Sequence, residues 1–164
     1  MQLPVTMDLD DLDRAILDLY QRDTRQPSEQ IGAQVGLSAA AVQRRLKRMR
    51  ESGAIVAETA ALDPRKLGLG LTAIVNVDLV DESARATRAF RDKVCARGEV
   101  QQCYGVAGSF DYVLLVVVAD LQAYEAFCEA CLLHDENVRS FTTQIVLDAA
   151  KRGGTVGLVD AARS

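Results

Sequence analysis

The sequence predicts an α+β protein in two parts: a small three-helix head, then a module of β–α–β–β–α–β order. Two observations predict it. Apolar residues recur at helical spacing between residues 9 and 53, whereas strand-like runs alternating with helical ones begin after residue 70, beyond an extended connection and a break at Asp63-Pro64 and Gly68 to Gly70. Charge divides at the same place. Residues 1–57 carry eight Lys/Arg against eight Asp/Glu, and residues 58–164 carry eleven against fifteen, so a neutral head precedes an acidic remainder. The expected boundaries are 1–54 for the head, 55–70 for a linking strand and connection, 71–150 for the sheet module and 151–164 for a tail.

The first helix starts at Asp10, a good N-cap, with Asp13 placed where a negative charge favours the helix dipole. Leu12, Ile16, Leu19 and Tyr20 then define its apolar face. A short second helix begins near Pro27 or Ser28, turns Ile31 and Val35 inward and stops at Gly36. Ser38 caps a third helix, AAAVQRRLKRMRE, which ends by Gly53. Its inward stripe is Val42, Leu46 and Met49. Gly32 and Gly36 stand where two helices approach around a tight turn. This is a helix-turn-helix arrangement.

The head is polarised, with acids crowded from Asp8 to Asp18 and five bases in the seven residues Arg44 to Arg50. A helix entering the DNA major groove needs small or hydrogen-bonding residues at its leading end and cations along its flanks for phosphates. Ser38, Ala39, Ala40, Ala41 and Gln43 supply the first set. Arg44, Arg45, Lys47, Arg48 and Arg50 supply the second. Double-stranded DNA is the expected partner.

Residues 54–62 read as extended. A strand follows at Leu71 to Val80, then a helix near Ser83 to Arg97 with Ala86, Ala89, Phe90 and Val94 inward and Gly98 as its stop. Strands at Val100 to Val106 and Tyr112 to Val118, a helix at Asp120 to Leu133 and a strand at Val138 to Leu147 complete a ferredoxin-like sandwich. The run Tyr112 to Val118 is apolar on both faces, which predicts cover on both and a dimer joined through its sheets. The loop Gly105 to Tyr112 compresses two glycines, a serine and an aspartate between strands. Asp111 there either accepts hydrogen bonds from an amine or ties down its own loop, and the residues leave both readings open.

Other chemistries find less support. The longest apolar run, Val113 to Ala119, is too short to cross a bilayer, and MQLPVTMDLDD lacks the basic start and apolar core of a signal peptide, so no membrane partner and a cytoplasmic location are expected. Cys128 and Cys131 have zinc-like spacing, but no second pair completes four ligands, and they share an apolar stripe with Leu121, Tyr124, Phe127 and Leu132. Buried thiols are the expectation, with no metal and no cofactor. The single histidine, His134, falls at a helix end, and no catalytic set is expected.

LDDLDRAIL (Leu9 to Leu17), VGLSAAAVQRRLKRMRESGAI (Val35 to Ile55) and GVAGSFDYVL (Gly105 to Leu114) resemble the Lrp/AsnC feast-or-famine transcription regulators, over about Leu9 to Lys151. The resemblance implies a winged helix-turn-helix, a linking strand paired with a partner's, and a βαββαβ effector domain, in homodimers that commonly form octamers. It also implies a small amino-acid effector between dimers, with Gly105, Gly108, Ser109 and Asp111 as candidates and Thr143 and Gln144 as further ones. Ala39 to Ala41 stand where the family often has proline, and Arg50 where an acid is common. Asn137 replaces a usual glycine, acceptable because asparagine tolerates left-handed backbone. Sirohaem decarboxylases resemble the same two-part architecture and form the enzyme alternative.

Overall fold

In the computed structural model the chain is described over residues 8–158, and it forms two units. One comprises the residues up to Ala60 together with those from Lys151 onward; the other is Ala61–Ala150.

In the first unit, α1 (Asp11–Tyr20) opens on a capping box. The Asp10 carboxylate accepts from the Asp13 N–H at 2.7 Å, and the Asp13 carboxylate accepts from the Asp10 N–H at 3.3 Å. α2 (Ser28–Val35) starts one residue earlier than a Ser28 cap would place it: Pro27 holds the cap position, and no side chain bonds the first turn. Gly36 ends α2 with φ of 73°, where a side chain would be strained. In α3 (Ala39–Glu51) the Ser38 hydroxyl accepts from the Ala41 N–H. Ile16, Leu17, Tyr20, Ile31, Val42, Leu46 and Met49 close the core, while Leu12 and Leu19 are only half-buried.

The tail joins this unit. Gln21 clamps it with both amide atoms, donating to the Val156 carbonyl at 2.9 Å and accepting from the Val156 N–H at 2.8 Å, and Leu158 packs on the core. Residues 151–158 thus complete the head.

The second unit begins with a short 3₁₀ turn, Pro64–Leu67, capped by Asp63. It then builds β1 (Leu71–Leu79), α4 (Ala84–Cys95), β2 (Val100–Gly105), β3 (Tyr112–Val118), α5 (Leu121–Cys128) and β4 (Val138–Ile145). The sheet is antiparallel with order β2-β3-β1-β4, the ferredoxin-like topology expected. Ala73, Val75, Val77 and Leu79 of β1 and Leu114, Val116 and Val118 of β3 form one face, buried with Phe90, Val94, Phe127 and Leu132 of the helical layer.

Several details differ from expectation. Ala89 is exposed, because the inward ridge of α4 runs Ala86, Phe90, Val94 at four-residue steps and leaves Ala89 on its flank. Gly98 does not stop α4, which closes at Ala96 in ordinary right-handed geometry. Leu121, at the first position of α5, is 56% exposed. The α-helix ends at Cys128 and widens into one π turn, Glu129–Leu133, whose Cys131 carbonyl accepts from Lys93 Nζ at 2.9 Å. Asn137 is not left-handed. Its side-chain amide instead bridges Asp81, accepting from the N–H at 2.8 Å and donating to the carbonyl at 3.2 Å. Within one chain Val113 and Leu115 remain half-exposed on the second face of β3.

Candidate functional site

The outer side of α3 is the first candidate surface. Ser38, Ala40, Gln43, Arg44, Lys47 and Arg48 are exposed there, while Ala39, Ala41 and Arg45 are partly covered. Ser38 already spends its hydroxyl on the cap, and the alanines let a partner approach α3 closely.

The cations divide into two groups. Arg45 Nη1 lies 2.7 Å from Asp13 Oδ1 and bonds both oxygens of Asp10, at 2.9 and 2.7 Å. Arg48 donates to the other oxygen of Asp13. Asp13 is the buried charged residue of the described chain, with no exposed surface. Its two guanidinium partners offset the cost of taking a carboxylate out of water. The Arg45 guanidinium, with help from the Asp13 N–H, holds the Asp10 carboxyl below its ordinary range. Arg50 is also engaged: it donates to Tyr20 Oη at 2.8 Å and to Glu58 at 2.7 Å, and its guanidinium lies over the Tyr20 ring. Arg44 makes no bond among the described residues, and Lys47 only a loose exposed pair with Glu51 at 3.7 Å.

The Gly105 to Tyr112 loop is the second. Val106 N–H donates to the Asp111 carbonyl at 2.9 Å, and Asp111 N–H to the Val77 carbonyl at 2.9 Å. Asp111 Oδ2 accepts from the Leu79 N–H at 2.7 Å, so this carboxylate does tie its loop to β1. Its second oxygen has no bonded partner among the described residues. Gly108 has φ of 150° and open space around its α-carbon, and Ser109 is exposed beside it.

The two β4 candidates do not join that loop. Thr143 pairs with Val75, and through β1 and β3 its row reaches Cys103 on β2, three strand spacings away, or about 14 Å. Thr143 also faces the helical layer, where its hydroxyl lies 2.5 Å from Tyr124 Oη. Gln144 is exposed, with its amide 3.4 Å from Asn76. One chain therefore brings Gly105, Gly108, Ser109 and Asp111 together and leaves Thr143 and Gln144 apart from them. Cys128 and Cys131 are buried in the core of the sheet module, and burial pushes both thiols up.

Sequence reasoning missed Asp13. A signal was present, since Asp13 lies three, four and seven residues before Ile16, Leu17 and Tyr20, on the buried face of α1.

Comparison with known proteins covers both units. The AsnC-type helix-turn-helix domain matches residues 9–50, and the Lrp/AsnC ligand binding domain matches residues 72–156. An uncharacterised HTH-type transcriptional regulator of Sinorhizobium fredii is 36% identical over 145 residues, covering 88% of this chain and 86% of that protein. The proline dehydrogenase transcriptional activator of Rhizobium radiobacter is 34% identical, covering 91% and 96%. Among solved structures, a transcriptional regulator of Neisseria meningitidis in complex with L-Met superposes with TM-score 0.85 at 28% identity, covering 92% and 97%. An AsnC family regulator of Agrobacterium tumefaciens gives TM-score 0.85 at 31% identity with the same coverage. These relatives are regulators of transcription rather than enzymes, which sets aside the decarboxylase alternative.

Proposed function

The chain belongs to the Lrp/AsnC family of DNA-binding transcriptional regulators, and from that premise we propose that a small amino acid, seated at the β2–β3 loop, sets its assembly or its affinity for double-stranded DNA. DNA lies along the exposed side of α3, with Ser38 to Ala41 and Gln43 toward the bases and the exposed cations Arg44 and Lys47 toward phosphates. The observation that carries the DNA reading is the capped, small-residue start of α3 leading into exposed Arg44 and Lys47.

The effector reading rests on Asp111. One carboxylate oxygen is held by the Leu79 N–H, and the other remains for an α-ammonium group, beside the open backbone of Gly108 and Ser109. Because Thr143 and Gln144 lie across the sheet from this loop, a site using both sets draws them from different copies. This supports homodimers, and octamers built from them. The half-exposed Val113 and Leu115 supply apolar surface for sheet-to-sheet pairing. The solved Neisseria relative contains L-Met, which makes methionine the first amino acid to test.

The test is a thermal-shift screen across the twenty amino acids, followed by DNA-binding anisotropy with each hit. A ligand at a hundred times its dissociation constant adds about 2.7 kcal/mol. If no amino acid shifts either the melting temperature or DNA affinity, the effector reading fails.

A further inference from the structure

We propose that Asp13 is a positioning residue for DNA recognition: its buried carboxylate holds Arg45 and Arg48 on the α1 side of α3, fixing the helix's rotation and leaving Arg44 and Lys47 as the principal phosphate contacts. This rests on the DNA reading above and deepens it.

Each oxygen of Asp13 takes one guanidinium, Oδ1 from Arg45 and Oδ2 from Arg48. Arg45 is anchored a second time by Asp10, whose carboxylate also caps α1. The network therefore runs from the start of α1 to the middle of α3. Arg45 sits on the same line as Val42 and Met49, three and four residues away, so it extends the buried stripe rather than the outer face.

An apolar stripe holds two helices together without dictating small rotations, because hydrophobic contact is non-directional. A carboxylate bonded by two guanidinium groups is directional. The burial of a charge here, where a leucine would pack at less electrostatic cost, is explained by orientation rather than by adhesion. Rotation matters because Ala39 to Ala41 and Gln43 read bases only if α3 presents them squarely to the groove, whereas a phosphate contact tolerates a few degrees of error. The charge balance agrees: Asp10 and Asp13 neutralise Arg45 and Arg48 within the protein, so neither arginine contributes a full counterion-releasing charge.

The experiment uses the full chain, with a duplex selected by the wild-type protein from a random-sequence pool and a scrambled duplex of equal composition, titrated by anisotropy across a salt series. Arg44→Ala is expected to reduce the log–log salt slope by about 0.9. Arg45→Ala is expected to leave the slope near wild type and to lower the selected-to-scrambled affinity ratio about tenfold, the effect of one misplaced base contact. Asp13→Asn is expected to lower the same ratio while the slope stays constant or steepens, as released arginines turn to phosphates. If Asp13→Asn fails to fold, Arg45→Lys, which keeps the charge and loses the fork, carries the same expectation. A slope lowered by about 0.9 in Arg45→Ala with an unchanged ratio would overturn the inference, because Arg45 would then be an ordinary phosphate contact. Absence of any preference by the wild-type protein would instead sink the DNA reading itself.

Discussion

Arg45 Nη1 stands 2.7 Å from Asp13 Oδ1, joining the middle of α3 to the first turn of α1 through a carboxylate with no exposed surface. Arg45 itself keeps 24% of its side chain exposed, so the pair is screened on one side only. Arg45→Ala is expected to destabilise the head by about 1–2 kcal/mol, at the low end for a charged hydrogen bond, since Arg48 still pairs with Asp13. Urea unfolding of the single and double variants of Asp13 and Arg45 measures the coupling directly.

Gly32 packs against the turn between α2 and α3. A β-carbon there would overlap the Leu37 carbonyl oxygen and lie 3.3 Å from its carbon, both backbone atoms that cannot swing away. Gly32→Ala is expected to cost about 1–3 kcal/mol, read as a lower melting temperature, and to weaken DNA binding by displacing the start of α3.

Thr143 is a hydrogen-bond partner before it is anything else. Thr143→Val leaves the buried Tyr124 hydroxyl only the weak Cys128 thiol as partner, at an expected cost of about 1 kcal/mol in denaturant unfolding. With Tyr124→Phe as background the loss should largely vanish, because both polar ends are then gone.

Asp111→Asn keeps an oxygen for the Leu79 N–H but removes the charge that an amino acid's ammonium group would seek. The fold should persist, by melting temperature, while the effector-induced change in DNA affinity is lost. That change is expected to lie between about fivefold and 150-fold in the wild-type protein. An unaltered response in Asp111→Asn would place the ammonium group elsewhere.

Acid should loosen the head through its hydrogen-bonded carboxyls, Asp10 and Glu58 among them. Hydrogen bonding to Arg45 lowers Asp10 from its ordinary value of 3.8, and hydrogen bonding to Arg50 lowers Glu58 from 4.5. Both folded values lie below the unfolded ones, so their stabilisation is complete above 4.5 and disappears as pH falls through the lower folded values. The denaturation midpoint should therefore hold steady from neutrality down to that range and then drop. Arg50→Gln should flatten the part due to Glu58.

The fold was legible where a one-dimensional period maps onto one face. Val42, Leu46 and Met49 could be read as a stripe, and the β–α–β–β–α–β order followed from strand-like runs alternating with helical ones. Pairs brought together by folding were harder to see. Asp13 reads as a dipole-favouring acid until α3 is laid beside it, and Arg45 reads as one more base in a basic run. The π turn after Cys128 has no glycine or proline to announce it. Asn137 suggested a left-handed residue, yet its partner Asp81 lies 56 positions away in sequence. The loop candidates Gly105, Gly108, Ser109 and Asp111 are neighbours in sequence and so stayed together in space; Thr143 and Gln144 lie across the sheet.

The clamp of Gln21 on Val156 sets an order of events during synthesis. α1, α2 and α3 leave the ribosome first, but the segment that covers the flank of α1 is made only after all four strands. Until then Leu17, Tyr20 and Ile55 lack the apolar neighbour that Leu158 brings. A nascent chain stalled within the sheet module therefore carries an unfinished reading head, and the head is completed only once residues 151–158 have been made.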